Sequence, residues 1–376
     1  MIYNFREIVI DSRTGLNPRK NFVLGNGNNY YITIKDIHDG KIIITDKTDR
    51  VDDDAIAIIK KRSRIKNGDI LFTSIGRVGE TAIVTNKDDS WDVNESVFVF
   101  TINPDIIIAE YFCLLFQSKD IRERLTKGST GSTFKSIKMN QLERMTFDIP
   151  PIGEQRKLVS KANVLKAIIN DRNNQLTQLD LLVKARFVEL FGECKAKKPL
   201  AEICSIITDG THQPPKFQSF GIPFIFVSNL ADNKVTYNAE KFIDENTYNE
   251  LIKRTPIEKG DILLSTVGSY GHPAVVIEDR KFLFQRHIAY LKPNHNLINS
   301  FYMHSALLSP DAQRQIEDRV KGIAQKTLNL SEIRKINIPL PNMKQQEQFA
   351  AFAEQIDKSK VVFQYYMKRG YPHDQL

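Results

Sequence analysis

The sequence predicts an α/β protein of the α+β kind: two tandem, similar, strand-rich domains joined by long antiparallel coiled-coil helices. Three observations predict it. The stretch NGDILFTSIGRVGETAIV, from Asn67, returns as KGDILLSTVGSYGHPAVV, from Lys259, with eight of eighteen positions identical at an offset of 192. Short β-branched runs, punctuated by Gly, Asn and Asp clusters, fill the first part of each half. A heptad-spaced apolar seam then follows in each half.

The elements follow in order. Residues 1–150 carry YYITI, KIIIT, DILFTSI, TAIV and SVFVFTI, which read as strands, and the helical stretch 109–126. After Pro150 and Pro151 the period changes. Leu158, Ala162, Leu165, Ile169, Arg172, Leu176, Leu179, Val183, Arg186 and Leu190 alternate steps of four and three, a seam broken by two arginines. This predicts a helix from about Glu154 to Phe191, roughly 55 Å long at 1.5 Å per residue, with Gly192 as its stop. The second copy repeats the strands as FIFVS, DILLSTV, PAVVIE and HIAYLKP, then a helix, then a shorter seam of Phe349, Ala353, Ile356, Lys360, Phe363 and Met367. The expected boundaries are 1–150 for the first domain and 151–193 for its helix, 194–341 for the second domain and 342–370 for its short helix, with 371–376 a tail. Two amphipathic helices at equivalent points pack most simply on each other, leaving about twelve residues of the first without an internal partner. Arg172 and Arg186 either fix register there or lie on the edge with their guanidinium groups in water.

Composition narrows the function. Hydrophobic content of 41% and charged content of 26% are those of an ordinary globular protein. No run approaches the length of a membrane span, no secretory leader is read, and no membrane partner is expected. Cys113, Cys194 and Cys204 have neither metal spacing nor the number for a disulfide framework, which favours a reducing cytoplasm. A net charge of +8 favours a polyanionic partner.

Taken in order, a strand-rich module with GDIL-x4-G-x2-G, a basic Gly-rich loop, and I-P-x-P-x-x-x-Q-Q/E-Q leading into a long helix, all written twice, resembles the DNA specificity subunit of Type I restriction-modification systems. The resemblance covers essentially the whole chain. It implies two target recognition domains, each reading one half of a bipartite double-stranded DNA sequence. It implies helices that act as spacer and as platform for two methyltransferase (modification) subunits. Such a subunit is not itself catalytic and needs no cofactor of its own. S-adenosylmethionine, and ATP with Mg²⁺ for restriction, belong to the modification, motor and nuclease subunits. In members of typical length the second helix is about as long as the first; here it is shorter, which leaves a truncated or inactive copy from a switching locus as an alternative.

The resemblance directs attention to three pairs of loops. Between the repeated glycines the side chains differ by copy: Thr73, Ser74 and Arg77 against Ser265, Thr266, Ser269 and Tyr270. A common scaffold with different polar tips suits two readers of different sequences, so Arg77, and Ser269 or Tyr270, are expected at base edges or phosphates. The loop 127–135 offers Lys127, Ser129, Thr130 and Lys135, and the loop 321–326 offers Lys321, Gln325 and Lys326. Neither fits a nucleotide-binding G-x-x-x-x-G-K-[ST]; both suit gripping of DNA phosphates. In the early loops SRTGLNPRK (12–20) and TDGTHQPPK (208–216), Asn17 and Gln213 suit adenine and Arg13 or Arg19 suit guanine, with Lys20, Thr211, His212 and Lys216 alongside. For each loop the competing reading is a solvated turn. Trp91 and most phenylalanines read as core.

Catalytic signatures are missing from the sequence. There is no G-x-G-x-x-G after a strand and no N/D-P-P-Y/F methyltransferase motif. Glu193 and Lys195 supply an E-x-K, but Pro104 and Asp105 lie too far upstream to complete a nuclease pattern. A nuclease or methyltransferase with a divergent site, and a protein-binding scaffold with an incidental basic surface, remain as rivals.

Overall fold

The computed structural model describes residues 1–17, 21–128, 135–322 and 326–369. Contacts divide it into two units at Asn170/Asp171, inside one unbroken helix. Arg19, Lys20, Ser129, Thr130 and Gln325, and the side chains of Phe363 and Met367, lie outside the described residues.

The first unit runs β1 (Ile2–Asn4), α1 (Phe5–Ile8), β2 (Val9–Thr14), β3 (Asn29–Ile32), β4 (Ile37–His38), β5 (Lys41–Ile42), β6 (Arg50–Val51) and α2 (Asp53–Ser63). It continues with β7 (Ile70–Thr73), β8 (Thr81–Ile83), β9 (Trp91–Val93), β10 (Val97–Ile102), α3 (Ala109–Gln117), α4 (Lys119–Gly128), α5 (Met139–Leu142), β11 (Thr146–Asp148) and the start of α6 (Ile152–Phe191). Its main sheet is antiparallel, in the order β2-β10-β7-β8, beside a smaller sheet β6-β3-β9 whose β3 and β9 run parallel. Strands bury both faces, and their alternation sorts two cores. Phe72, Phe98 and Phe100 meet Phe112 and Phe116 of α3 on one face; Leu71, Val97 and Val99 meet Ile32 and Trp91 on the other. Asp52 starts α2 by accepting from the Ala55 amide at 2.8 Å, as an N-cap should.

The second unit repeats this path. After α6 come β12 (Lys197–Pro199), α7 (Leu200–Ile203), β13 (Cys204–Asp209), β14 (Ile222–Ile225), a 3-10 turn (Val227–Asn233), β15 (Lys241–Ile243) and α8 (Glu245–Leu251). Then follow β16 (Ile262–Ser265), β17 (Pro273–Val275), β18 (Leu283–Phe284), β19 (Ile288–Pro293), α9 (Ser300–Leu307), α10 (Pro310–Arg319), α11 (Leu330–Ile333), β20 (Asn337–Pro339) and α12 (Met343–Arg369). The sheets β13-β19-β16-β17 and β15-β14-β18 reproduce the first unit's orders, including the parallel pair β14/β18. Duplication in sequence is duplication in fold.

Gly15 and Gly210 mark where strand and neighbour approach most closely. A Cβ at Gly15 would sit 1.7 Å from the Val93 carbonyl oxygen, and one at Gly210 2.3 Å from that of Phe284. Thr14 pairs with Phe98 and Asp209 with Ala289, so Asp209 corresponds to Thr14 rather than Arg13; the early loops align one residue away from the expected match. Gly15→Ala and Gly210→Ala should each destabilise their module by about 1–3 kcal/mol, as backbone is forced apart. Unchanged urea midpoints in both variants would show that the strands separate freely.

The long helices are fastened by an equivalent glutamine in each copy, five residues after Pro150 and Pro341. Gln155 is fully buried; its amide accepts from the Ile108 N–H (3.0 Å) and donates to the carbonyls of Ile106 (2.7 Å) and Pro150 (2.8 Å). Gln346 does the same at the foot of α12, accepting from Asn299 (2.9 Å) and donating to Leu297 (3.0 Å) and Pro341 (2.9 Å). Helix α6 begins at Ile152, two residues before the expected start. Along it Leu158 packs on the first unit's core, while Leu165, Ile169, Leu176, Leu179 and Val183 are half-buried.

Beyond Val183 the seam differs from the expectation. Phe187 and Phe191 are buried, whereas Leu190 is 46% exposed and Arg186 pairs outward with Glu189 at 2.8 Å. The heptad gives way to steps of four because these turns insert into the second module's core, where they meet strands and α9 as well as the partner helix α12. Arg172 is exposed and donates to Gln175, so it lies on the surface. The Phe349 ring stands 5.3 Å from Phe187 and 5.6 Å from Phe191, and further along α12 the Lys360 ammonium reaches Asp180. As one helix advances the other recedes: α6 and α12 are antiparallel within the second unit, with Ile356 half-buried between those contacts.

Candidate nucleic-acid interface

In each module one end of the four-stranded sheet gathers the same four segments. In the first these are the residues after β2, the β7–β8 turn, the segment before β10, and residues 135–137 after α4; in the second they are their counterparts around 210–213, 266–272, 285–287 and 326–328. The same backbone bonds tie them together. Gly76 donates to Lys135 O (2.9 Å) and Gly268 to Lys326 O (3.4 Å). Ile137 donates to Ser74 O (2.9 Å) and Leu328 to Thr266 O (2.8 Å). Ser74 donates to Ser96 O (2.9 Å) and Thr266 to His287 O (3.0 Å). Gly76 and Gly268 carry these turns at φ 71° and 73°, which an L side chain resists.

Four expected contacts belong to the scaffold instead. Thr73 is fully buried and its hydroxyl accepts from the Glu80 amide at 3.0 Å; Ser265 does the same for His272 at 2.9 Å. Ser74 is buried and donates to Ser96 O at 2.8 Å, and Thr266 is buried at the matching place. Small hydroxyls in tight turns satisfy their own backbone, which is why Thr73 and Ser74 point inward. Arg13 is the largest correction. It is buried and donates to Asp69 (2.9 Å), the Arg64 carbonyl (2.7 Å) and Thr101 (2.5 Å), so it is held within the core.

The remaining candidates stand at or near the surface. Arg77, Lys127, Lys135, His212, Gln213, Lys216, Ser269, Lys321 and Lys326 are exposed; Asn17, Thr211 and Tyr270 are half-buried. Several are already engaged. Arg77 reaches Nε2 of His38 at 3.2 Å, and Asn17 donates to Glu95 at 2.6 Å. His212 Nε2 lies 2.7 Å from Asp209, whose other oxygen accepts from Arg254. Tyr270 donates to Glu317 at 2.5 Å and Lys326 pairs with the same carboxylate at 3.0 Å, which holds the Lys326 ammonium above its ordinary pKa. A polyanion reached by Lys326 must therefore displace an exposed ion pair, a small penalty.

Sequence reading missed Arg286 and His287, which line a cavity of about 330 Å³ at this end of the second module. Aligning strand registers finds them: Val97 faces Thr73 and Ile288 faces Ser265, so Glu95 and Ser96 correspond to Arg286 and His287. Among the described residues, no cluster of three or more His, Cys, Asp and Glu is arranged to hold a metal ion, and no helix is long and apolar enough to cross a membrane.

The fold defines a tandem protein, one α+β module used twice, each copy presenting a turn-built, cation-bearing sheet end and leading into a long helix. The family profile described as "Type I restriction modification DNA specificity domain" matches residues 7–178 and again 195–362, and the chain belongs to that family. It is 24% identical over 273 residues to the Type I restriction enzyme EcoBI specificity subunit of Escherichia coli, a match covering 62% of this chain and 57% of that subunit. The chain thus spans little more than half the length of that relative. It is 25% identical over 393 aligned positions to a putative Type I restriction enzyme MjaX specificity subunit of Methanocaldococcus jannaschii, covering 95% of this chain and 86% of that one. A solved chain from work titled "Structural basis underlying complex assembly and conformational transition of the type I R-M system" aligns over 98% of this chain and 93% of its own, with a TM-score of 0.60 at 19% identity, a likeness of fold.

Proposed function

We propose that this chain is the DNA-reading subunit of a Type I restriction-modification complex. Each module reads one half of a bipartite duplex site, and the chain itself performs no bond chemistry. Modification subunits, two of them, dock on its helices and bring S-adenosylmethionine; restriction subunits joining that assembly bring ATP and Mg²⁺. The complex works in the cytoplasm. One observation carries the reading: the same sheet end is built twice on the same backbone bonds, with Arg77 and Glu95 in one copy where Ser269 and Arg286 stand in the other. A conserved frame with exchanged tips is what reading two different half-sites requires. Exposed lysines such as Lys135 and Lys216 supply phosphate contacts, and Leu181, Leu182 and Val188, exposed on α6, supply apolar surface for a docked subunit.

The test uses the chain co-purified with its modification subunit and duplexes carrying both half-sites at varied separation. Binding should peak at one spacing, with roughly one helical turn favoured because it presents equivalent grooves. Equal affinity at every spacing would remove two-part reading.

A further inference from the structure

Arg286 differs from Lys326 and His212 at the same sheet end, whose side chains are each engaged by a carboxylate. Its guanidinium is exposed at the mouth of the 330 Å³ cavity that Asp209, Thr266, His287, Thr327 and Asn329 also line. Its backbone is fixed, because its N–H donates to the Thr211 carbonyl at 3.1 Å. Its side chain makes no hydrogen bond or ion pair with any described residue. The neighbouring carboxylate cannot readily neutralise it: one oxygen of Asp209 accepts from Arg254 and the other meets His212 at 2.7 Å. A rigid backbone carrying an unspent fork of donors is arranged for an external acceptor.

Comparison of the modules separates the two acceptors DNA offers. Phosphates are present on every sequence, so a phosphate-gripping position should carry a cation in both copies. At this position the first module has Glu95, held by the Asn17 amide at 2.6 Å, so the charge is inverted. The position changes with the module, as a base-reading position must.

We propose that Arg286 reads a guanine in the second module's half-site, its guanidinium donating to O6 and N7 in the major groove. This rests on the DNA-reading function proposed above. It assigns that module's guanine contact to the segment before β19, whereas in the first module the exposed arginine, Arg77, comes from the β7–β8 turn.

The experiment selects binding sites from a randomised duplex pool, using the full chain in complex with its modification subunit, for wild type, Arg286→Ala and Arg286→Lys. Wild type should select a half-site containing an invariant guanine. Arg286→Ala should lose preference at that one base pair by roughly 5- to 150-fold and leave the other positions unchanged, the range a bidentate base contact supplies. Arg286→Lys should keep the overall affinity and lose most of the preference, because an ammonium lacks the fork. If both variants select the wild-type sequence and only bind all duplexes more weakly, Arg286 grips phosphate and the inference is overturned while DNA reading stands. If wild type itself selects no sequence, the DNA-reading function fails and the assignment falls with it.

Discussion

Asp69→Ala should cost the first module about 3–5 kcal/mol, because it leaves the buried Arg13 guanidinium with only the half-exposed Asp11 carboxylate, at 3.3 Å. The Arg13 and Asp69 side chains are 5% and 3% exposed and meet at 2.9 Å. Asp69 also accepts from the Thr101 hydroxyl at 2.6 Å and the Lys66 amide at 2.8 Å, so its loss breaks a network rather than a single bond. The measurement is the urea midpoint of the first module's transition. Arg13→Met combined with Asp69→Leu should recover most of the loss, since apolar side chains of similar volume often replace a buried pair without penalty. The same series decides what Arg13 is for. Well below its unfolding midpoint, Arg13→Ala should bind DNA as wild type does; a specific loss of binding with unchanged stability would return Arg13 to the DNA-facing group.

Phe349→Ala should destabilise the second module by about 3–5 kcal/mol and release α12 from it. Phe349 is buried, with its ring 5.3 Å from Phe187, 5.6 Å from Phe191 and 6.1 Å from Tyr302. It is thus the point where α12, α6 and α9 share one core. Phe349→Leu should keep most of the stability, because volume and apolarity survive. Hydrogen exchange along α12 is the local readout: protection should collapse in the alanine variant and persist in the leucine one. If exchange is unchanged by Phe349→Ala, contacts further along, such as Lys360 with Asp180, hold the helix alone.

The duplication and the two long helices were legible because each leaves a periodic or spacing trace in the chain. The end of the α6 seam was not. Heptad extrapolation through Arg186 and Leu190 assumes a partner helix alone, whereas Phe187 and Phe191 answer to a globular core that includes α12 together with α9 and the sheet. The GDIL aspartate was legible only as part of a repeat. Asp69 and Asp261 each accept from the amide three residues earlier, Lys66 and Glu258, both at 2.8 Å, which explains their identity. Their other partners diverge, Arg13 and Thr101 in one copy, Tyr290 and Lys292 in the other, and come from strands distant in sequence. At the sheet end, residue type was a poor guide to direction. Thr73 and Ser74 are of the type that contacts DNA but turn inward to their own backbone, whereas Arg286 stands beside a strand where only the pairing registers align it with Glu95.

Glycines at positive φ carry the conformational demand of the β7–β8 and β16–β17 turns, and the neighbouring buried hydroxyls close them. Positions 77 and 269 are therefore mechanically idle: little of the turn's formation depends on what they bear. Substitution there can explore new surface chemistry while the protein stays folded at every step, one residue at a time, without passing through a collapsed intermediate.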